Sequence, residues 1–325
     1  MKKVIEKAKE LLEQAKNVLI ISHRRPDCDT LGAAIAFKIW LSSMNKNVTM
    51  ACKDKISKIF NFLPYTSEFI DNFSLKDFDL MIVVDSGASY MTDFHLMYPD
   101  LFKTIPVINI DHHASNDFYG TVNIVDSKAA STTLMIYKLF KNWGVKMDSV
   151  LASCLLCGIY TDTGSFMHSN TNKEVFEASS DLMEMGAKIS DISKNVFKRK
   201  TVSALKIWGR AMEKADFQKD GVVFSVVRKQ DYDELNCNPD ELSGVIDYLN
   251  MVPNSKYAVL IAEDKKGNVK GSFRTRCDDV DLSKIAANFG GGGHKKASGF
   301  CIPGKLEEQV MYQIVTDEGE KTLNF

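Results

Sequence analysis

The sequence predicts an α/β fold: a mainly parallel sheet flanked by helices in an N-terminal domain, a helical linker, and a smaller α/β C-terminal domain. Three observations carry this. Short apolar runs alternate with longer amphipathic stretches through the first half of the chain, the pattern of βαβ units around a parallel sheet. From about 187 to 215 the texture becomes charged and helical, with no strand signal. A second α/β pattern then begins and includes the glycine-rich FGGGGHKKASGF. The expected domains are 1–188 and 216–325, joined by a linker at 189–215, with the active site in a cleft between them.

The elements follow in order. MKKVIEKAKELLEQAKN places Val4, Ile5, Ala8, Leu11, Leu12 and Ala15 at helical spacing between charges, which is not the pattern of a signal peptide. VLIIS (18–22), VTMAC (48–52), LMIVVD (80–85) and IPVINID (105–111) read as strands. TLGAAIAFKIWLSSMNKN reads as the helix after the first strand. STTLMIYKLFKNWG reads as a later one that stops at Gly144. In the second pattern GVVFSVV, YAVLIAED and NVKGSFRTR read as strands. Helices are expected around 240–251, at DLSKIAANF, and after the glycine-rich segment.

Composition narrows the function. Lys and Arg number 41 against 42 Asp and Glu, so no broad basic surface is available to coat duplex nucleic acid. No stretch approaches the roughly 18 apolar residues of a membrane span. Seven cysteines at scattered spacing suit a reducing cytoplasm better than a disulfide framework. Cys154 and Cys157 form a CxxC inside an apolar helical run, with no second pair to complete a zinc site, and read as core thiols.

The chemistry gathers at the ends of the strands. LIISHRRPDCDT runs an apolar segment into His23 and then Asp27 and Asp29. Asp85 ends LMIVV, Asp111-His112-His113 ends PVINI, and Asp162 follows an apolar helix in GIYTDTGSF. In an open α/β sheet, ligands bind outside the carboxyl ends of the strands, so these groups converge on one crevice. Any one of them alone would be an ordinary helix cap or a satisfied polar group. Together they cannot stay unpaired, because crowded carboxylates repel and burying them is costly. A pair of divalent cations resolves this, and mixed oxygen and imidazole donors favour Mn²⁺, with Mg²⁺, Co²⁺ or Zn²⁺ as alternatives. Of six histidines, His23, His112, His113 and His294 fall inside the motifs, while His95 and His168 do not. Gly291, Gly292 and Gly293 precede His294, Lys295 and Lys296, and Arg274 and Arg276 end a nearby strand. That grouping reads as an anion pocket.

These motifs identify a family resemblance. H-x-x-x-D-x-D at 23–29, the lone Asp85, DHH at 111–113 and TDTGSF around Asp162 resemble the four motifs of the DHH phosphoesterases. GSFRTR and FGGGGHKKASGF resemble the DHH-associated substrate-binding domain. The combination is similar to the subfamily of oligoribonucleases and pAp phosphatases, which includes soluble phosphodiesterases of linear and cyclic dinucleotides.

The resemblance implies one metal held by His23, Asp27 and Asp85. It implies a second held by Asp29, Asp85, His112 and Asp162. His113 would touch the scissile phosphate, with Asp85 bridging the ions and Asp111 orienting a neighbouring imidazole. Ser131, in AASTT at a helix start, would either donate to phosphate or serve as an ordinary N-cap. Arg274, Gly291, Gly292, Gly293 and His294 would grip a neighbouring phosphate or terminal nucleotide. The implied substrates are pAp, pApA and short single-stranded oligoribonucleotides, cut in a cytoplasmic enzyme that is a possible homodimer. Two positions depart from the family: Cys28 stands where Gly is common, and Met167-His168 where a basic residue is common. A cyclic-dinucleotide phosphodiesterase, a pyrophosphatase, a RecJ-type exonuclease and a non-catalytic nucleotide-binding protein remain as alternatives. The glycine-rich tail counts against the pyrophosphatase, and the full ligand set against the binding protein.

Overall fold

Helix α1 (Lys2–Gln14) leads into β1 (Asn17–Ser22), α2 (Cys28–Ser43), β2 (Asn47–Ala51), β3 (Leu80–Val84), the single-turn α3 (Leu101–Thr104), β4 (Val107–Asp111) and β5 (Val122–Val125). Helices α4 (Thr132–Trp143), α5 (Ser149–Asp162), α6 (Lys173–Glu184) and α7 (Ile189–Val196) follow, and all of these belong to a first compact unit, Met1–Arg199. The second unit, Lys200–Phe325, carries α8 (Val202–Glu213), β6 (Asp216–Phe217), β7 (Val222–Val227), α9 (Lys229–Leu235), α10 (Val245–Leu249), β8 (Tyr257–Glu263) and β9 (Asn268–Arg274). It ends with α11 (Leu282–Ala287), β10 (Gly292–His294), β11 (Ala297–Pro303), β12 (Met311–Thr316) and β13 (Gly319–Asn324). The computed structural model describes residues 2–196, 200–307, 311–316 and 319–324. Among them no helix is long and apolar enough to cross a membrane.

The first sheet is wholly parallel, in the order β2-β1-β3-β4-β5. Its central strands are largely apolar because both faces are covered. Val18, Ile20, Ile82, Val84, Ile108 and Ile110 face a core shared with the helices. Leu19, Ile21, Met81, Val83 and Val107 face a second core with Phe94 and Leu101. Each such side chain, fully removed from water, contributes about 1.5–3 kcal/mol. The strand order reverses at β1: β2 lies on one side and β3 on the other. The carboxyl ends of β1 and β3 therefore flank the switch point where α/β sheets bind ligands. His23 and Asp85 stand there.

Helix α2 is buried on nearly every side, from Cys28 to Phe37. Its N-cap Asp27 accepts from the backbone N–H groups of Asp29 (2.9 Å) and Thr30 (3.1 Å). Against it lies α5, equally apolar and equally buried. A Cβ on Gly32 would sit 2.4 Å from the Cys154 carbonyl oxygen, so only glycine lets these helices meet. Helix α4 ends at Gly144 in the left-handed region (φ +72°), as a C-terminal glycine should. The stretch 189–215 carries two helices that divide between the units. Ile192 of α7 packs into the first core, and Ile207 and Ala211 of α8 into a core of the second unit.

The second unit is built on a mixed sheet ordered β10-β11-β9-β8-β7-β6. Alternation along β8 sends Ala258, Leu260 and Ala262 to the core under α8 and α10, and Val259 to the opposite core under α11. One expectation fails here. The helix predicted after the glycine-rich segment is a hairpin instead, β12 pairing antiparallel with β13 from Met311–Asn324 to Thr316–Gly319. The β-branched run Ile314-Val315-Thr316 suits a strand better than a helix.

A buried carboxylate fixes α8 against α9. Asp231 accepts from Arg210 Nη1 (2.7 Å), Lys214 Nζ (2.6 Å) and the Arg228 backbone N–H (2.8 Å). Burial works to raise its pKa, but the hydrogen bonds from Lys214, Arg228 and Arg210 outweigh burial and hold the carboxyl below its usual range. A depressed carboxyl stabilises the fold fully above its ordinary pKa, and that stability is lost as pH falls through the lower folded value. Asp231→Asn is thus expected to cost about 1–3 kcal/mol at neutral pH. Urea melts should show that deficit shrinking toward pH 3, and a pH-independent deficit would refute the ionic account.

Candidate active site

Six side chains converge on Asp85, and the backbone explains how. Asp85 follows β3 in the left-handed region (φ +56°), a conformation costly for most residues but tolerated by aspartate. Its N–H donates to the Ile110 carbonyl at 2.9 Å, tying it to β4. The residue is 1% exposed, and its side chain spans two groups of ligating atoms. Oδ2 lies 3.4 Å from His23 Nε2, while Oδ1 lies 3.5 Å from His112 Nε2 and accepts from Thr132 Oγ1 at 2.9 Å.

On one side of Asp85 stand His23 and the exposed Asp27, 4.0 Å apart. On the other, Asp162, the last residue of α5, places Oδ2 3.2 Å from His112 Nε2. The ligating atoms of His23, Asp27 and Asp85 lie within 4.8 Å of one another, and so do those of Asp29, His112 and Asp162. The imidazoles are turned for coordination. His23 Nδ1 donates to the Arg24 carbonyl at 2.6 Å, and His112 Nδ1 to the Ala129 carbonyl at 3.3 Å. A carbonyl can only accept, so Nδ1 keeps its proton and Nε2 is the atom presented to the carboxylates, where a cation would replace its proton. Hard oxygen donors plus correctly turned imidazoles fit divalent cations.

The electrostatics point the same way. Burial works against charge on His23, yet its hydrogen bond to Asp85 and the charges of Asp27 and Asp85 raise it to about 9. Asp29 is pushed up to about 7 by burial and by Asp85. Desolvation, then Asp29, Asp27 and Asp85, push Asp162 upward as well. Asp85 goes the other way: burial opposes its charge, but His23, His112 and His113 hold it well below the usual range. The cluster draws in positive charge.

Asp29 depends on another element. Its carboxylate accepts from the first two N–H groups of α4, Thr132 (2.7 Å) and Thr133 (2.9 Å), and from Thr133 Oγ1. A helix N-terminus favours an anion there. Ser131 is the N-cap of that helix, fully buried, with its hydroxyl accepting from the Leu134 N–H at 3.0 Å. It faces the helix, not solvent. Asn170 Nδ2 donates to the carbonyls of Ala130 (3.1 Å) and Asp162 (3.2 Å), joining the α4 entrance to the α5 exit. His168 also returns to this turn, with Nδ1 3.3 Å from the Asp162 carbonyl. Sequence reading passed over Asn170, quoted Thr132 and Thr133 only as part of AASTT, and met His168 only as a departure from the family pattern. For Asn170 the one hint was its nearness to TDTGSF.

His113 borders the same cluster, with a ring nitrogen within 4.8 Å of ligating atoms of Asp85 and His112. Its Nδ1 lies 2.6 Å from Asp111 Oδ1 and 3.8 Å from Asp85 Oδ1, so Asp111 holds its Nδ1 proton. Burial disfavours its charge, but the Asp111 hydrogen bond and Asp85 raise it to about 9. In the second unit, His294 pairs with Ala297 across β10–β11, and Ala297 with Arg274 across β11–β9, so His294 and Arg274 share one row of the sheet. Arg274 Nε also donates to Asp247 at 3.0 Å, and Lys296 pairs with Asp278 at 2.7 Å. The glycines have packing reasons. A Cβ would approach the Gly299 oxygen to 2.2 Å at Gly291, and the Ala297 oxygen to 2.6 Å at Gly293 (φ +132°); at Gly292 it would meet nothing.

Residues 17–159 match the DHH family, N-terminal domain, and residues 219–318 match the DHHA1 domain. The chain carries a DHH domain followed by a DHHA1 domain. DHH proteins are metal-dependent phosphoesterases, and this one is accordingly a hydrolase of phosphoester bonds. It is 28% identical over 303 residues to the bifunctional oligoribonuclease and PAP phosphatase NrnA of Thermus thermophilus, over 92% of this DHH chain and 88% of that one. NrnA of Bacillus subtilis is 24% identical over 288 residues, 88% of this chain and 89% of its own. An exopolyphosphatase-related protein from Bacteroides fragilis shares the fold at a TM-score of 0.86 and 22% identity, over 95% of this chain and 93% of its own.

Proposed function

We propose that this DHH protein hydrolyses short oligoribonucleotides and dinucleotides such as pApA to mononucleotides, and pAp to AMP. The observation that carries the reading is Asp85, buried between two groups of ligands whose imidazoles both turn Nε2 toward it. Full-length similarity to the NrnA proteins supports the substrate class.

His23, Asp27 and Asp85 would hold one divalent cation, and Asp29, Asp85, His112 and Asp162 the other, with Mn²⁺ favoured by the mixed donors. When bound, the ions supply an acidified water and neutralise charge on the phosphoryl oxygens. The chain's own residues supply the rest. Asp85 fixes the spacing of the two groups through its two oxygens. Thr132 and Thr133 hold Asp29 in place, so that its position costs no reorganisation during reaction. Asp111 accepts a hydrogen bond from His113 Nδ1–H and favours the imidazolium, which makes His113 a donor to a phosphoryl or leaving oxygen. Arg274 and His294, in one row of the second sheet, suit a second phosphate or the terminal nucleotide.

The test is release of phosphate and nucleotide by the purified protein with Mn²⁺, from pAp, pApA, a pentaribonucleotide, cyclic di-AMP and pyrophosphate. Turnover of pApA and pAp is expected, with cyclic di-AMP and pyrophosphate left intact. Pyrophosphate as the only substrate would overturn the proposal, and cyclic di-AMP as the best one would move it to the cyclic-dinucleotide phosphodiesterases.

A further inference from the structure

Behind His113 runs a line of buried polar side chains that leads away from the ligands. Asp111 Oδ1 holds His113 Nδ1 at 2.6 Å, and its other oxygen accepts from Asn116 Nδ2, also at 2.6 Å. The Asn116 amide cannot turn over. Its Oδ1 accepts from the Phe118 backbone N–H at 2.8 Å and from Asn109 Nδ2 at 3.0 Å, and two donors on one side demand the oxygen there. The NH₂ is thereby forced toward Asp111. Asn109 Nδ2 in turn reaches Asn123 Oδ1 at 3.0 Å, and Asn123 is locked into its turn by two bonds with Gly120, at 2.9 and 2.7 Å. Asn109 and Asp111 are 0% exposed and Asn116 8%.

Amides are an expensive way to fill a core. Buried polar groups of this kind are retained where orientation matters, because each must be satisfied by a partner of fixed direction. Here the direction points to one place. A carboxylate held only by an imidazole can pivot about its Cβ–Cγ bond, and the imidazole pivots with it. A second donor on the other oxygen fixes the carboxylate plane and so the ring. Asn116 Nδ2 also lies 3.4 Å from the Ser86 carbonyl, next to Asp85, so one amide ties the loop bearing His113 to the loop bearing Asp85. The ring has little slack besides: a Cβ on Gly87 would sit 3.1 Å from the His113 Cβ.

We infer that Asn116 is a positioning residue for His113, acting through Asp111, with Asn109 keeping its amide the right way round. The inference rests on the reading of His113 as the group that meets the scissile phosphate. It assigns no contact between Asn116 and substrate or ions. Asn116 therefore governs the chemical step and not substrate affinity.

The experiment is a double-mutant cycle read two ways. Wild type, Asn116→Ala, His113→Ala and the double variant are assayed on pApA at saturating Mn²⁺, and the metal-free proteins are examined by proton and nitrogen NMR of the histidine rings. Asn116→Ala is expected to lower kcat by roughly 10–100-fold with KM changed less than about twofold. The double variant is expected to be no slower than His113→Ala, since the two losses share one route. The Nδ1–H resonance of His113, seen in the wild type, should be lost or shifted in Asn116→Ala. Multiplying losses, a change confined to KM, or an unaltered Nδ1–H resonance would each overturn the inference. Should Asn116→Ala not fold, Asn116→Asp enters the same cycle; it can still accept from Phe118 but sets a carboxylate against Asp111. If the wild type leaves pApA untouched, it is the proposed substrate that fails, and the NMR comparison still decides the role of Asn116.

Discussion

Asp85→Asn is expected to lower pApA hydrolysis by roughly three to four orders of magnitude, about 4–5.5 kcal/mol of transition-state stabilisation. The size follows from position. Among the described residues, Asp85 is the one whose two carboxylate oxygens reach both ligand groups, His23 through Oδ2 and His112 through Oδ1. Losing any other ligand leaves one group whole, whereas losing Asp85 weakens both. Asparagine is chosen because it matches the side chain in size and tolerates the left-handed backbone at φ +56°. The fold should therefore survive, and melting curves separate the two effects. A cation bound only by the native state stabilises it by about 2.7 kcal/mol at a hundredfold excess over Kd. Wild type should show that rise in Tm on adding Mn²⁺, and Asp85→Asn should show little or none while melting normally without metal. An unchanged rise would place the ions elsewhere.

What the sequence announced was the part written in strong local patterns. His23, Asp85 and Asp111 each end a short, mainly apolar run rich in Ile, Val and Leu, which reads as a buried strand. Chemistry-bearing residues at three such ends converge by topology alone. Asp29 shows the limit. Its position at the start of α2 was legible, but the groups that hold it are backbone N–H donors 103 and 104 residues away, and a backbone donor leaves no mark in a sequence. Asn116 was silent because asparagine in a loop normally means a turn, and Asn109 because one amide inside the strand β4 does not say which side chain it meets. Strand β5 was missed because Asn123 interrupts TVNIV, yet that asparagine is the one bonded to Asn109. The C-terminal segment was ambiguous in principle. Leu306, Val310 and Ile314 recur at helical spacing, while Ile314, Val315 and Thr316 form a β-branched run, and over so short a stretch both periods fit. The glycine-rich tail looked like a phosphate cradle. At Gly291 and Gly293 the close approach is to a neighbouring strand's backbone.

Gly158→Ala and Gly209→Ala make the same chemical change inside two helices, and opposite results are expected. On propensity alone either should stabilise its helix by about 0.5–1 kcal/mol. Gly209 is exposed on α8 with nothing within 4 Å of its would-be Cβ, so that gain should appear in full as a higher Tm. At Gly158, on α5, the new methyl would lie 2.4 Å from Asp29 Oδ1 and 2.4 Å from Thr133 Oγ1. Neither atom is the loose end of a flexible chain. Asp29 is pinned by the amides of Thr132 and Thr133, and relief requires α5 to back away from α2 and α4. Overpacking of this kind costs about 1–3 kcal/mol, enough to reverse the propensity gain. The retreat also moves two ligands, because Asp162 rides on the last turn of α5 and Asp29 faces its middle. A displacement near 1 Å of such groups costs roughly 10²-fold in rate. Gly158→Ala should therefore lower Tm and activity together, and weaken the Mn²⁺-dependent rise in Tm, while Gly209→Ala raises Tm and leaves hydrolysis unchanged. If both variants gained stability, the contact of α5 with Asp29 would not be tight enough to set the ligand geometry, and the helix packing would lose its place in the account of the site.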